Sequence, residues 1–160
     1  MEMNTKELIS RANNFFNGDA SYGDAAMKIL EGVTSDGALK NAEKNTHSAA
    51  ELVAHIIGWE EVYLKRAKGD PTATIDQELS FDWKRIDKNE KTAWRSLVTG
   101  FETNHKELIS ILEEDRYDMQ VKETLLNSIM EHDIYHLAQI AFIKKMVSSK
   151  HNFGGMIHFL

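Results

Sequence analysis

The sequence predicts an all-α protein, a four-helix bundle with long crossover connections. Apolar residues recur at spacings of three and four over long segments, and the alternation typical of strands is nearly absent. Proline occurs once, at Pro71, so few positions interrupt a helix. A chain of 160 residues is most simply one domain, residues 1–160. We expect a flexible tail at about 150–160, where Gly154 and Gly155 break the helical pattern.

The first helical zone covers about residues 4–33. It is interrupted around 17–24, where the sequence "NGDASYGD" contains an Asn-Gly pair and a second glycine. The polar segment "TSDGALKNAEKNTH", residues 34–47, follows it. We expect this segment to cross over the outside of the bundle.

The second helix begins at Ser48. Ser48 and Glu51 have the spacing of a capping box, in which each side chain bonds the backbone N–H of the other residue. This helix ends near Lys68, before Gly69 and a proline. Residues 69–86 then form a long connection, and compact domains rarely keep a loop of that length without a use for it.

The third helix is predicted over residues 87–114 and the fourth over 121–149. The short turn between them, around "DRYDM", predicts that these two helices are antiparallel neighbours. The longer connections elsewhere in the chain allow crossovers.

The composition excludes several functional classes. The net charge is −6 and no dense cluster of Lys or Arg occurs, so neither nucleic acid nor an anionic membrane is an expected partner. The chain has no cysteine, which excludes disulfides, a thiolate zinc site and a thiol nucleophile. We find no signal-peptide pattern and no apolar run long enough to span a bilayer. A cytoplasmic location is therefore expected.

Two histidines, His132 and His136, fall on the buried face of the fourth helix. Residues four apart on a helix lie about 5–6 Å from each other between Cβ atoms, so both rings could reach one ion. Two core histidines bonded to backbone or water would give the same pattern. The stripe that contains them consists of Leu125, Ile129, His132, His136, Ile140 and Ile143.

A third histidine, His55, points inward from the second helix. It shares a stripe with Leu52, Trp59 and Val62, at spacings of three, four and three. Each inward histidine alone is compatible with a hydrogen-bonded core residue. Together, the three would supply three neutral nitrogen ligands and leave an open coordination position, as in catalytic metal sites.

Neighbouring side chains could support such a site. A ligating histidine donates its other N–H to a fixed acceptor, and Asp133 and Gln139 on the fourth helix are either such acceptors or surface residues. Glu131 also flanks His132 but is expected at the surface. Trp59 and Tyr63, one and two turns beyond His55, could form the cavity wall or simply pack in the core.

Two further histidines are weaker candidates. His105 lies on the core stripe of the third helix, so it is either an additional ligand or a core or boundary residue. His47 precedes the N-cap Ser48 and is interpreted as a capping-region residue at the helix start. The paired carboxylates Glu60 and Glu61 are interpreted as a solvated helix face.

The chain resembles the DinB family of DinB- and YfiT-like metal-dependent enzymes. The resemblance rests on "GDASYGDAAMKILEGVTSDGA", on "THSAAELVAHIIGWEEVYLKRAKGD" and on "EHDIYHLAQIAFIKK", although Ala138 stands where the family often has Gly. It implies that His55, His132 and His136 are the metal ligands. It also implies a homodimer, and a fold similar to that of transferases and isomerases that use low-molecular-weight thiols.

These observations lead to three hypotheses. The first is a metal-dependent thiol transferase or hydrolase acting on a small-molecule substrate, with zinc or nickel in the three-histidine site and a metal-bound water or thiolate as nucleophile. Phe81 and Trp83 in the 69–86 connection would then form a substrate lid. The second is a non-catalytic, metal- or ligand-binding, stress-related bundle protein. The third is a structural bundle without metal.

Overall fold

A computed structural model describes residues 4–74, 83, 85–87, 89–90 and 92–153, with side chains to residue 147. The all-α prediction is confirmed for these residues. Within these ranges the backbone forms six helices and no strand. The helices are α1 (Thr5–Asn17), α2 (Ala26–Glu31), α3 (Ser35–Ala38), α4 (Ala49–Ala67), α5 (Ala93–Glu113) and α6 (Met119–Phe153).

The start of α4 is the predicted one. The Ser48 side chain accepts a hydrogen bond from the Glu51 backbone N–H at 3.2 Å, and the Glu51 carboxylate accepts one from the Ser48 N–H at 2.9 Å. Both residues are buried. This reciprocal pair fixes the first turn of α4 and therefore the register that places His55 two turns later.

The predicted third and fourth helices correspond to α5 and α6, and each begins at a residue different from the predicted one. Asp87 forms a turn in which its carboxylate accepts a hydrogen bond from the Asn89 N–H, so α5 begins six residues later than predicted. At the next turn Asp118 accepts the Val121 N–H at 2.8 Å, which starts α6 slightly earlier than predicted. The helix α6 also continues past residue 149 to Phe153, and the remainder of the predicted tail lies outside the described residues.

The helix packing differs from the prediction that the third and fourth helices are neighbours. Helices α1 and α4 each pack against both α5 and α6, whereas α5 and α6 contact each other only sparsely. The short turn joins two helices that α1 and α4 keep apart. The main packing partner of α6 is α4, and this pairing is the one that matters for the histidines.

The segment 34–47 was expected to run outside the bundle, and this prediction is wrong. Thr34 caps the short helix α3 by accepting the Gly37 N–H. Ala38, Leu39 and Ala42 are buried and belong to the main core. Three apolar side chains in an otherwise polar segment are enough to hold it against the helices.

The described core consists of one large cluster, to which α1 to α6 all contribute, and a small second cluster of Val62 and Ala73. Its largest fully buried side chains include Leu8, Ile56, Phe101, Leu126 and Leu137. Across the described residues, no helix has both the length and the apolar character that a membrane span requires.

Candidate metal centre

The three histidines singled out from the sequence come together between α4 and α6. Each of His55, His132 and His136 offers one ring nitrogen, and these three nitrogens lie within 4.8 Å of one another. His55 and His136 are 5% and 6% exposed, and the His132 side chain is 17% exposed. The cluster is therefore nearly enclosed and opens towards solvent mainly at His132.

The spacing of the nitrogens fits a divalent ion. His132 Nε2 lies 3.2 Å from His55 Nε2. Two nitrogens bound to zinc at 2.0–2.1 Å with a tetrahedral angle would be about 3.3 Å apart. A direct hydrogen bond between the rings would have a similar length, so the distance alone does not distinguish the two arrangements.

The other nitrogen of His132 has the kind of partner that a metal-ligating histidine requires. His132 Nδ1 lies 3.2 Å from Asp133 Oδ1, and Asp133 is completely buried. A carboxylate at Nδ1 holds the proton there and leaves the lone pair on Nε2, which faces His55. This is how a ligating histidine is normally oriented, and it places Asp133 where the sequence suggested a supporting acceptor.

His136 supplies the third imidazole. Its Nδ1 is buried and has no hydrogen-bond partner, which is unfavourable for a polar atom unless an ion uses its lone pair. Burial lowers the pKa of His136 to about 4, and the charges of His132 and His55 contribute further. Gln139 interacts with the ring and opposes this shift, but leaves Nδ1 without a partner. The ring is thus neutral at pH 7, the state required of a metal ligand.

Aromatic rings surround the cluster. The Trp83 ring stacks on His55, with centroids 4.0 Å apart and planes 3° apart, and its opposite face stacks on His47 at 3.8 Å. The Trp59 and Tyr63 rings lie 6.0 and 6.1 Å from the His132 ring. Trp83 thus covers one face of the His55 ring, with His47 packed behind it, while Trp59 and Tyr63 approach the His132 ring at steep angles.

Phe81, the other residue of the predicted lid, lies outside the described residues. Glu131 is exposed, as expected. The structure thus brings Asp133, Gln139, Trp59 and Tyr63 to the cluster.

Glu60 is buried, although a solvent-exposed position was predicted for it. It was interpreted as part of a solvated face with Glu61, but it is 3% exposed and accepts a hydrogen bond from Asn104 Nδ2 at 2.9 Å. Its spacing could have revealed this, because Glu60 lies four residues after Ile56 and four before Leu64, both of which are buried. Of the two neighbouring carboxylates, Glu61 is the exposed one.

His105 is not brought to the cluster. Its ring stacks on Phe16 with centroids 3.9 Å apart, and its Nε2 lies 3.2 Å from Asn13 Oδ1. Both partners belong to α1. Burial lowers the pKa of His105 to about 4, so the folded protein keeps this ring neutral.

We expect His105 to make the fold sensitive to acid rather than to bind metal. The unfolded chain binds a proton at this histidine below about pH 6.5, whereas the folded chain does so only near pH 4. The neutral His105 ring therefore contributes fully to stability above about pH 6.5. This contribution is lost as the pH falls from there towards about 4. His105→Phe keeps a ring against Phe16 and should reduce the slope of unfolding free energy against pH by at most about 1.4 kcal/mol per pH unit.

Urea unfolding between pH 4 and 7 measures that slope, and bound metal is quantified in the same samples. A slope identical to that of the wild-type protein would contradict the assignment of the acid sensitivity. Loss of metal in His105→Phe would contradict the placement of this residue outside the metal centre.

Comparison with known protein families gave a match. A family model described as the DinB superfamily matches residues 23–140, a span that contains all three histidines of the cluster. A comparison with curated proteins and one with solved structures gave no match.

Proposed function

The chain belongs to the DinB superfamily, and from this premise we propose that it is a metal-dependent enzyme that acts on a small molecule. In this proposal His55, His132 and His136 hold one divalent ion. The observation that carries it is the convergence of three imidazole nitrogens within 4.8 Å. Among the described His, Cys, Asp and Glu side chains, no fourth member joins this group, which leaves a coordination position for a reactant.

Zinc and nickel are the ions that we propose. Three neutral imidazoles suit the late first-row metals, whereas magnesium and calcium prefer oxygen ligands. When bound, such an ion supplies a Lewis acid that lowers the pKa of a coordinated water or thiol towards neutrality. This chemistry supports a hydrolase or a transferase of a low-molecular-weight thiol.

The side chains around the ligands have separate tasks in this proposal. Asp133 holds the proton on Nδ1 of His132 and so presents Nε2 to the ion. The stacked ring of Trp83 covers one face of His55 and keeps water away from it. Excluding water strengthens the electrostatic interactions within the site.

A cleft beside Tyr63 is the path that we propose for the substrate. It has a volume of about 410 Å³ and runs along α4 and α6, with Arg66, Thr124 and Ser128 in its lining. Tyr63 borders this cleft and also packs against His132, the most exposed of the three histidines. Arg66 is held in place because its Nε donates to the Ala73 carbonyl oxygen at 2.8 Å.

We expect the zinc- or nickel-loaded protein to conjugate an electrophile to at least one cellular low-molecular-weight thiol, or to hydrolyse an activated ester or amide. The test is a panel of thiols and activated substrates, with product measured by mass spectrometry. Metal-free protein and the His132→Ala variant serve as controls and should lack the activity. If the fully loaded wild-type protein turns over no member of the panel, the enzymatic proposal loses its support.

That negative result would favour the second candidate, a metal- or ligand-binding protein without turnover. The specific observation behind this candidate is the enclosure of the site. His55 and His136 are almost completely buried, and Trp83 stacks directly on His55. Such a site could hold an ion firmly while leaving little room for a reactant.

A further inference from the structure

A chain of buried polar side chains extends from the metal centre into the core. Asp133 is 0% exposed, Glu60 3% and Asn104 7%, and they come from α6, α4 and α5. Asn104 Nδ2 donates to Glu60 Oε2 at 2.9 Å and also lies 3.3 Å from the Ile57 carbonyl oxygen. Three helices thus contribute polar groups to one point behind His132.

Among the described residues, Glu60 is the side chain that can supply the donor that Asp133 still needs. Its Oδ1 is occupied by His132, while its Oδ2 is buried and receives no hydrogen bond from any nitrogen or hydroxyl group. The side chain that hydrogen-bonds with this carboxyl group is Glu60. Two carboxyl groups can form a hydrogen bond only if one of them carries a proton, because an ionised carboxylate has no donor.

The environment places that proton on Glu60. Burial raises the pKa of Glu60 well above its usual range, and the negative charge of Asp133 raises it further. Asp133 Oδ1 already faces Nδ1 of His132 at 3.2 Å, so Asp133 is the acceptor of the pair and Glu60 the donor. Asn104 donates its N–H to one Glu60 oxygen, which leaves the other oxygen to carry the proton.

We propose that Glu60 is a positioning residue of the metal centre, a neutral carboxylic acid that donates a hydrogen bond to Asp133 and, through Asp133, fixes the ring of His132. Asn104 orients Glu60 in turn. The inference rests on the proposed function, since it assumes that His132 is a ligand. It goes further by assigning a role to two residues on α4 and α5, neither of which belongs to the cluster of histidines.

A purely structural role for Glu60 predicts something different. If Glu60 only filled a polar gap in the core, its replacement would lower the stability of the metal-free protein without changing the affinity for metal. If it acted through negative charge, any neutral replacement would weaken metal binding. The proposal predicts that the ability to donate a hydrogen bond, and not the charge, is what matters.

Two substitutions separate these possibilities. Glu60→Gln is neutral, and its amide can accept from Asn104 and donate to Asp133, so zinc affinity should stay within about threefold of wild type. Glu60→Met has similar size but no donor and should weaken zinc binding about 10–100-fold, the usual effect of losing an outer partner of a metal ligand. Glu61→Gln, next to it on the exposed face, is the matched control and should change nothing.

The measurements are the zinc Kd from competition with a chromophoric chelator, the visible spectrum of the cobalt-loaded protein, and the melting temperature of the metal-free protein. Glu60→Met should alter the cobalt bands, whereas Glu60→Gln should preserve them. If Glu60→Met does not fold, Asn104→Ala takes its place, and weaker zinc binding is again expected.

The outcomes are distinguishable. Wild-type affinity in Glu60→Met or Asn104→Ala overturns the inference alone, and so does an equal loss of affinity in Glu60→Gln and Glu60→Met. Failure of the wild-type protein to bind zinc, nickel or cobalt overturns the proposed function and the inference with it.

Discussion

Replacing His55, His132 or His136 by alanine is expected to abolish stoichiometric metal binding. Each substitution removes one of three nitrogen donors that lie within 4.8 Å of one another. Losing only an outer partner of a ligand typically costs about 10–100-fold in metal affinity. Losing a ligand should therefore weaken binding by at least about 100-fold. The measurement is metal content by mass spectrometry, after purification without chelators and without a nickel affinity column.

Two other histidines provide matched controls. His105→Ala removes a buried histidine that packs on α1, and His47→Ala removes one that stacks on the outer face of Trp83. Both variants should keep one equivalent of metal. A full equivalent of metal in any of the three cluster variants would exclude that histidine as a ligand.

The sequence was informative about which histidines face the core, because helical periodicity decides this locally. His55, His132 and His136 each occupy a stripe of apolar residues, and the structure places all three between α4 and α6. Periodicity cannot decide which helices pack together. The short connection between α5 and α6 suggested that these two were neighbours, but the main partner of α6 is α4.

Glu60 and the segment 34–47 were misjudged for a related reason. Charged residues are almost never fully buried without a partner, so Glu60 next to Glu61 looked like part of a solvated face. Its partners, Asn104 and Asp133, come from helices distant in sequence and become visible only in the fold. The burial of Ala38, Leu39 and Ala42 was likewise not predictable from the sequence, because it depends on contacts with helices that the fold brings next to them.

Zinc or nickel added to the metal-free protein is expected to raise its melting temperature substantially. The ligands come from residues 77 positions apart, at His55 and His132, so the unfolded chain has no preformed site and the ion binds the folded state. At 100 to 1,000 times Kd, such binding contributes about 2.7–4.1 kcal/mol. For a protein of this size, this corresponds to an increase of roughly 5–16 °C.

The metal-induced increase in melting temperature should become smaller as the pH falls. Metal ligands must be unprotonated, so protons compete with the ion for each ring. Burial lowers the pKa of His136 to about 4, and protonation of this ring therefore limits binding only as the pH approaches that value. Differential scanning calorimetry with and without metal, from pH 4 to 8, measures the shift. His132→Ala should lose it at every pH, and His105→Phe should retain it.

Combined with a turnover assay, the shift in melting temperature also decides which of the two functional candidates is correct. An equal shift in His132→Ala would mean that the ion binds elsewhere, and the metal centre proposed here would be wrong. A shift confined to proteins with all three histidines, together with turnover, supports the enzyme. The same confined shift without turnover supports the binding protein, because the ion would then stabilise the contact between α4 and α6 without activating a reactant. Measured on the same samples, stability and turnover therefore separate the location of the ion from its use.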